Sequence, residues 1–175
     1  MKNENSIVDI VMPNYNKGNF LENAINSVIN QTFKKWHLYI IDDNSNDNSK
    51  SIINKFNSID NISIINLDKK EGPGFCRNHV INKTSSKYIA FLDSDDYWSE
   101  NKLKDQIDFM EKNNYQFTYS DYVPFTEKNS QKSFKKKISV PSYFNFTSFI
   151  QNTSIAMSSV IIQRSIIGQT KFEKL

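Results

Sequence analysis

Three short polar clusters carry the chemistry this sequence offers: Pro13-Asn14-Tyr15-Asn16, Asp42-Asp43-Asn44-Ser45 and Asp93-Ser94-Asp95-Asp96. The last is the most telling. Asp93 and Asp95 stand two residues apart with Asp96 adjacent, and carboxylates about 5 Å apart repel by roughly 3 kcal/mol at an effective dielectric near 20. A bound cation or a raised pKa relieves such a site. Oxygen-only ligands favour a hard divalent ion, Mn2+ or Mg2+, which keeps several waters and shares a diphosphate with one or two carboxylates. Aspartates also cap helices and fill turns, so the cluster alone leaves both roles open. Asp43 has the same two readings: part of a turn, or a carboxylate accepting hydrogen bonds from a base or ribose. Tyr15 is either a stacking surface for a base or packing. Gly72-Pro73-Gly74 with Arg77 is either a turn before a helix or a place where backbone and guanidinium approach phosphate.

Other chemistry is poorly supported. His37 and His79 lack the spacing of a metal pair, and Cys76 has no neighbouring base in sequence. Neither a G-x-x-x-x-G-K-[ST] phosphate loop nor a G-x-S-x-G nucleophile elbow occurs.

The elements needed to position the clusters follow from hydrophobic periodicity. Residues 7–12, 38–41, 62–67 and 88–92 are short apolar, largely β-branched runs that read as buried strands, the first broken by Pro13 and Asn14. Between them, Phe20, Leu21, Ala24, Ile25, Val28 and Ile29 repeat at helical spacing after Gly18-Asn19, and Ile52, Ile53 and Phe56 do so after about Asn48. Ser99 is the expected cap of a helix lined by Leu103, Ile107 and Met110. Residues 117–119 read as a fifth strand. Alternating strands and helices predict an α/β fold, a Rossmann-like, mostly parallel sheet with helices on both faces. In such a sheet ligands bind outside the carboxyl ends of the strands, where all three clusters fall.

Residues 1–122 form this core, and residues 123–175 read as a basic loop and the start of a further region of the same domain. After Tyr122 the pattern fades into a loop or lid punctuated by Pro124 and Pro141, with Lys128, Lys132, Lys135, Lys136 and Lys137 crowded there. Phe146, Phe149 and Ile150 predict a short helix and residues 158–162 a strand; residues 163–175 show no clear element.

Composition narrows the class. A chain of 175 residues, 38% hydrophobic and 13% aromatic, can bury one real core. A single cysteine permits no internal disulfide. No run approaches the roughly 20 apolar residues of a spanning helix, and the first residues lack the apolar run of a signal peptide. These features predict a cytoplasmic protein, with the inner membrane face as the alternative. A net charge of +3, from 22 basic and 19 acidic residues, gives no reason to expect nucleic acid.

The ordered segments VMPNYN, Asn30-Gln31-Thr32-Phe33, IIDDNSND, Arg77-Asn78 and FLDSDDYW resemble the family 2 glycosyltransferases, inverting enzymes of GT-A fold. The match runs from about Ile7 to Lys112. The resemblance implies a nucleoside diphosphate sugar donor, often a uridine one, and a saccharide or lipid-linked acceptor. By matched position Pro13 and Tyr15 would line the base pocket, Asp43 would meet uracil or ribose, and Arg77 would lie near the nucleotide. Asp93 and Ser94 would border ribose and phosphates, Asp95 would coordinate the metal, and Asp96 would support the loop. In the family a later acidic motif supplies the base, and that motif is not found. The resemblance therefore implies a base beyond Leu175 and a chain that transfers sugar poorly by itself. Two rivals remain: a truncated, non-catalytic nucleotide-sugar-binding domain, and a phosphoryl-transfer enzyme with Asp93 as nucleophile. In enzymes of this kind the acceptor is often a lipid-linked or surface saccharide, so Lys135, Lys136 and Lys137 are expected to rest on anionic headgroups. A solvated loop is the alternative.

Overall fold

The computed structural model describes residues 6–128, 131–144, 147, 154–168 and 171–173. Four strands, β1 (Val8–Asn14), β2 (Trp36–Asp42), β3 (Ile62–Asn66) and β4 (Tyr88–Phe91), alternate with α1 (Gly18–Ile29), α2 (Ser49–Asn54) and α3 (Pro73–Ile81). They pair in parallel, β3-β2-β1-β4. After α4 (Lys102–Asn113), β5 (Phe117–Thr118) and β8 (Ile161–Gln163) extend the sheet beyond β4 with antiparallel pairing, giving the order β3-β2-β1-β4-β8-β5. The expected mostly parallel α/β sheet is present, with this antiparallel edge.

Strand parity decides which helix each residue meets. Ile10, Met12, Leu38, Ile40 and Leu92 join Leu21, Ile25 and Val28 of α1, Ile53 of α2 and Leu103 and Ile107 of α4 in one core. Val11, Ile41, Ile89 and Phe91 join Cys76 and Val80 of α3 on the other face. Burial on both faces is why β1, β2 and β4 are continuous apolar runs rather than alternating ones.

Several expectations change in detail. β1 continues through Pro13 and Asn14, which pair in register with Ile41 and Asp42. Val11 accepts from the Leu92 amide, so residues of its parity turn toward β4; Pro13, two residues on, lies past the end of β4, where its missing N–H costs no ladder bond. Ser99 is not the cap of α4, which starts at Lys102 after Asn101. Gln31 does that work instead: its Oε1 accepts the Leu103 amide and its Nε2 donates to the Ser99 carbonyl. Part of the expected loop after Tyr122 is a hairpin, β6 (Phe125–Lys128) and β7 (Gln131–Phe134). The strand expected at 158–162 is split into a 3-10 turn, Met157–Ser159, and β8. The short helix expected around Phe146, Phe149 and Ile150 lies outside the described residues.

The last described segment is tied down, although no element was expected there. Asn78 donates to the Phe172 carbonyl and accepts its amide, and Phe172 packs edge-on to Phe91. A Cβ on Gly74 would fall 2.5 Å from the Glu173 carbonyl oxygen, so this approach requires glycine. Arg164, directly after β8, reaches across β4 to β1, donating to Asp9, Thr84 and the Ser86 carbonyl. Among the described residues no helix is long and apolar enough to cross a membrane.

Candidate active site

The carboxyl ends of β1, β2 and β4 open onto a cavity of about 320 Å3. All seven residues expected to bind donor or metal, Pro13, Tyr15, Asp43, Arg77, Asp93, Ser94 and Asp95, line it. They come from strand ends, loops and α3, separated by up to about eighty residues, and parallel pairing is what brings these segments to one edge. Asn16 and Asn44 adopt left-handed backbone, φ 53° and 60°, which lets the chain turn sharply after β1 and β2.

The acidic loop is balanced by protein cations. Asp93 Oδ1 accepts from Arg77 at 2.7 Å and Asp95 Oδ2 from Lys17 Nζ at 2.7 Å. These two ion pairs offset part of the repulsion between Asp93 and Asp95. Asp96 stands apart: burial pushes its pKa up, the neighbouring Asp93 and Asp95 charges add to this, and the Ser158 hydroxyl, donating at 2.6 Å, opposes it. Ser158 Oγ also accepts the Asp93 amide, and the Trp98 indole donates to the Ser158 carbonyl. One serine from the far end of the chain thereby fixes both ends of the acidic loop.

Asp43 is almost fully buried, and its two oxygens accept the amides of Glu71 and Gly72. Gly72 has φ +89°, a conformation costly for any other residue, so the turn into α3 is built around this carboxylate. Asn14 donates to Asp42 and Ser45, while its buried Oδ1 has no hydrogen-bonding partner among the described residues. Arg77 Nε is likewise buried and without a partner among the described residues, and its guanidinium lies 5.4 Å above the Phe172 ring.

Two lining residues escaped sequence reasoning, Lys17 and Lys70, whereas Pro73 belongs to the Gly72-Pro73-Gly74 segment already singled out. Lys70 Nζ sits 3.8 Å above the Tyr15 ring, close enough for a cation–π contact. Lys17 carries a usable signal, since it directly precedes α1 at the end of the first polar cluster; Lys70 does not. Cys76 and His37 are structural. Burial lifts the Cys76 thiol to about 12 and lowers the His37 pKa. Of the three lysines expected at a membrane, all exposed, Lys137 pairs with Asp121 at 3.0 Å.

A divalent ion fits the donor set. Asp93 and Asp95 are oxygen donors, about 40% exposed at the cavity, and each gives one oxygen to a cation. Among the described residues no group of three or more acidic, histidine or cysteine side chains forms a closed cage. That pattern suits an ion that takes one or two carboxylates and completes its shell with diphosphate and water.

The family model for glycosyl transferase family 2 matches residues 9–169. The chain belongs to this family. A relative, the UDP-Glc:alpha-D-GlcNAc-diphosphoundecaprenol beta-1,3-glucosyltransferase WfgD of Escherichia coli, is 33% identical over 166 residues, covering 95% of this chain and 64% of its own length. The fold is shared with S. aureus TarS in complex with UDP, with TM-score 0.70 and 22% identity over 91% of this chain and 47% of that one. It is shared too with the mannosyltransferase PcManGT of Pyrobaculum calidifontis in complex with GDP-Man and Mn2+, with TM-score 0.71 and 10% identity over 98% of this chain and 49% of that one. The family 2 chain described here thus spans about half the length of these solved structures.

Proposed function

We propose that this chain binds a uridine diphosphate sugar with Mn2+ or Mg2+ and serves a glycosyltransferase acting on a saccharide or lipid-linked acceptor in surface polysaccharide synthesis. The observation that carries the reading is the convergence of Pro13, Tyr15, Asp43, Arg77, Asp93, Ser94 and Asp95 on one cavity. Pro13 and Tyr15 would flank the base, and Asp43, buried and held by two amides, would meet uracil or ribose. Ser94 and Asp93 border the ribose and phosphates. The unpartnered Asn14 Oδ1 and Arg77 Nε are an acceptor and a donor that a bound nucleotide would satisfy.

Asp95, with Asp93, would hold the ion, whose chemistry is to neutralise charge on the departing diphosphate. Lys17 and Arg77, now engaged with these two carboxylates, are the side chains free to turn toward phosphate once that happens. The Lys17–Asp95 pair is about 40% exposed on both sides, so exchanging its partner costs little. Lys70 over Tyr15 adds a third cation beside the diphosphate path. Lys135 and Lys136 extend the same reading to the inner face of a membrane, by attraction to anionic headgroups.

The test is a UDP-release assay with a panel of UDP-sugars, with and without candidate saccharide and lipid-linked acceptors. Release from at least one donor, lost on Asp95→Ala, is expected. Nucleotide release that is equal in wild type and variant, or none with any donor, would count against the reading.

A further inference from the structure

Arg77 lines the donor cavity, yet part of what holds it comes from the far end of the chain. Its side chain is 11% exposed, and one terminal nitrogen donates to Asp93 Oδ1 at 2.7 Å. Its Nε has no partner among the described residues. The guanidinium lies 5.4 Å from the centre of the Phe172 ring, within reach of a cation–π attraction.

Three contacts fix that ring without involving Arg77. The side-chain amide of Asn78, next to Arg77 on α3, donates to the Phe172 carbonyl at 2.7 Å and accepts the Phe172 amide at 2.9 Å. Gly74, one turn earlier on α3, lets this clamp close, because a Cβ there would fall 2.5 Å from the Glu173 carbonyl oxygen. Phe91, the last residue of β4 and two residues before Asp93, meets the ring edge-on with centroids 5.5 Å apart. Asn78 bonds backbone alone, so the clamp would accept any residue but proline at position 172. Packing against Phe91 uses the bulk of the side chain there; the cation above it uses its aromatic face.

We infer that Phe172 is a positioning residue for donor binding, its ring holding the Arg77 guanidinium at the cavity while the N–H groups exchange Asp93 for diphosphate. The inference rests on the nucleotide-sugar reading above. On that reading the Asp93 pair opens when Asp93 turns to the ion, and Arg77 then loses its charged partner. A ring face attracts the cation without occupying any of its five N–H donors, so this contact persists in both arrangements. The coupling is reciprocal: whatever affinity the ring adds for diphosphate, bound diphosphate returns as firmer seating of residues 171–173 on α3.

The experiment is calorimetry of UDP and of uridine, both with Mn2+, on wild type, Phe172→Leu and Phe172→Tyr. Leucine keeps apolar bulk against Phe91 and removes the aromatic face, whereas tyrosine keeps the face. Phe172→Leu should weaken UDP about three- to tenfold, the effect of a partly buried cation–π contact, with uridine changed less than twofold. Phe172→Tyr should stay within twofold of wild type for both ligands. A merely structural role would not produce this split, because loosening α3 also disturbs the turn at Glu71 and Gly72 that holds Asp43, the residue assigned to the nucleoside. Saturating UDP should slow tryptic cleavage after the exposed Lys171 by a similar factor in wild type and not in Phe172→Leu. Equal loss of UDP and uridine in Phe172→Leu, unchanged UDP affinity, or equal protection of Lys171 in both proteins would overturn the inference and leave the nucleotide reading standing. A wild-type chain that binds no UDP would overturn that reading as well.

Discussion

Lys102 offers a stability test that needs no ligand. Its Nζ is buried at the first turn of α4, where the helix dipole is also unfavourable to a cation, and among the described residues it has no hydrogen-bonding partner. Burial lowers its pKa from 10.5 to about 7. At 1.36 kcal/mol per tenfold change in the proton equilibrium, that fall corresponds to roughly 5 kcal/mol of lost stability when the amine is charged. The indole face of Trp98 at 4.1 Å returns about 1–2 kcal/mol, leaving roughly 3. Lys102→Met keeps the stem over the ring and removes the charge. The sign follows from proton counting: between pH 7 and 10.5 the unfolded chain holds the proton that the folded chain has shed, so wild-type stability rises with pH across this window. The penalty is complete below pH 7. Urea unfolding should therefore find Lys102→Met more stable by about 3 kcal/mol at pH 6.5, with the difference shrinking below about 1 kcal/mol by pH 10. A difference that does not change with pH, or a variant less stable than wild type at pH 6.5, would refute the reasoning. A gain in stability from deleting a residue is the signature expected where a group is kept for binding rather than for folding.

Other outcomes are expected elsewhere in the molecule. Arg164→Ala removes the guanidinium that donates at 2.8 Å to Asp9, a carboxylate 1% exposed in the sheet. Leaving that charge unpaired should cost about 3 kcal/mol or more in urea unfolding. Asp43→Ala should weaken uridine and UDP alike by calorimetry, whereas Asp95→Ala should spare uridine, since only the diphosphate reaches the ion; equal loss of uridine in both would contradict these roles. Asn78→Ala frees Phe172 from α3 and with it the ring under Arg77, so it should raise proteolysis near Phe172 and weaken UDP several-fold.

Much of this architecture was legible because it depends on periodicity. Ile10 and Met12 on one side of β1 and Val11 on the other could be read from an unbroken apolar run, and the loops at the carboxyl ends followed from parallel topology. That Pro13, Tyr15, Asp43, Arg77, Asp93, Ser94 and Asp95 would share one cavity could be read the same way, since most of them stand at or just after a strand's carboxyl end. What stayed hidden depends on contacts distant in sequence. Nothing in a window around Gln31 says that its amide caps α4, or that Ser158 will hold the loop of Asp93 and Asp96 from sixty residues away. Ser99 looked like a cap because local composition is all a sequence window contains. The hairpin of β6 and β7 was obscured by its polar, lysine-rich strands, which lack the alternation of a half-buried sheet. Lys17 and Lys70 belong to none of the motifs read from the sequence; only the fold shows that both line the cavity at the carboxyl ends of the strands.

The central claim is that the acidic loop after β4 holds a nucleoside diphosphate through a divalent ion. Calorimetry of UDP binding to wild type and Asp95→Ala, each with Mn2+ and with excess chelator, tests it most directly. The account predicts strong binding only for wild type with Mn2+, with chelator and mutation each removing most of the affinity and adding little to one another. UDP binding that is equally tight in chelator, or unchanged by Asp95→Ala, would contradict it.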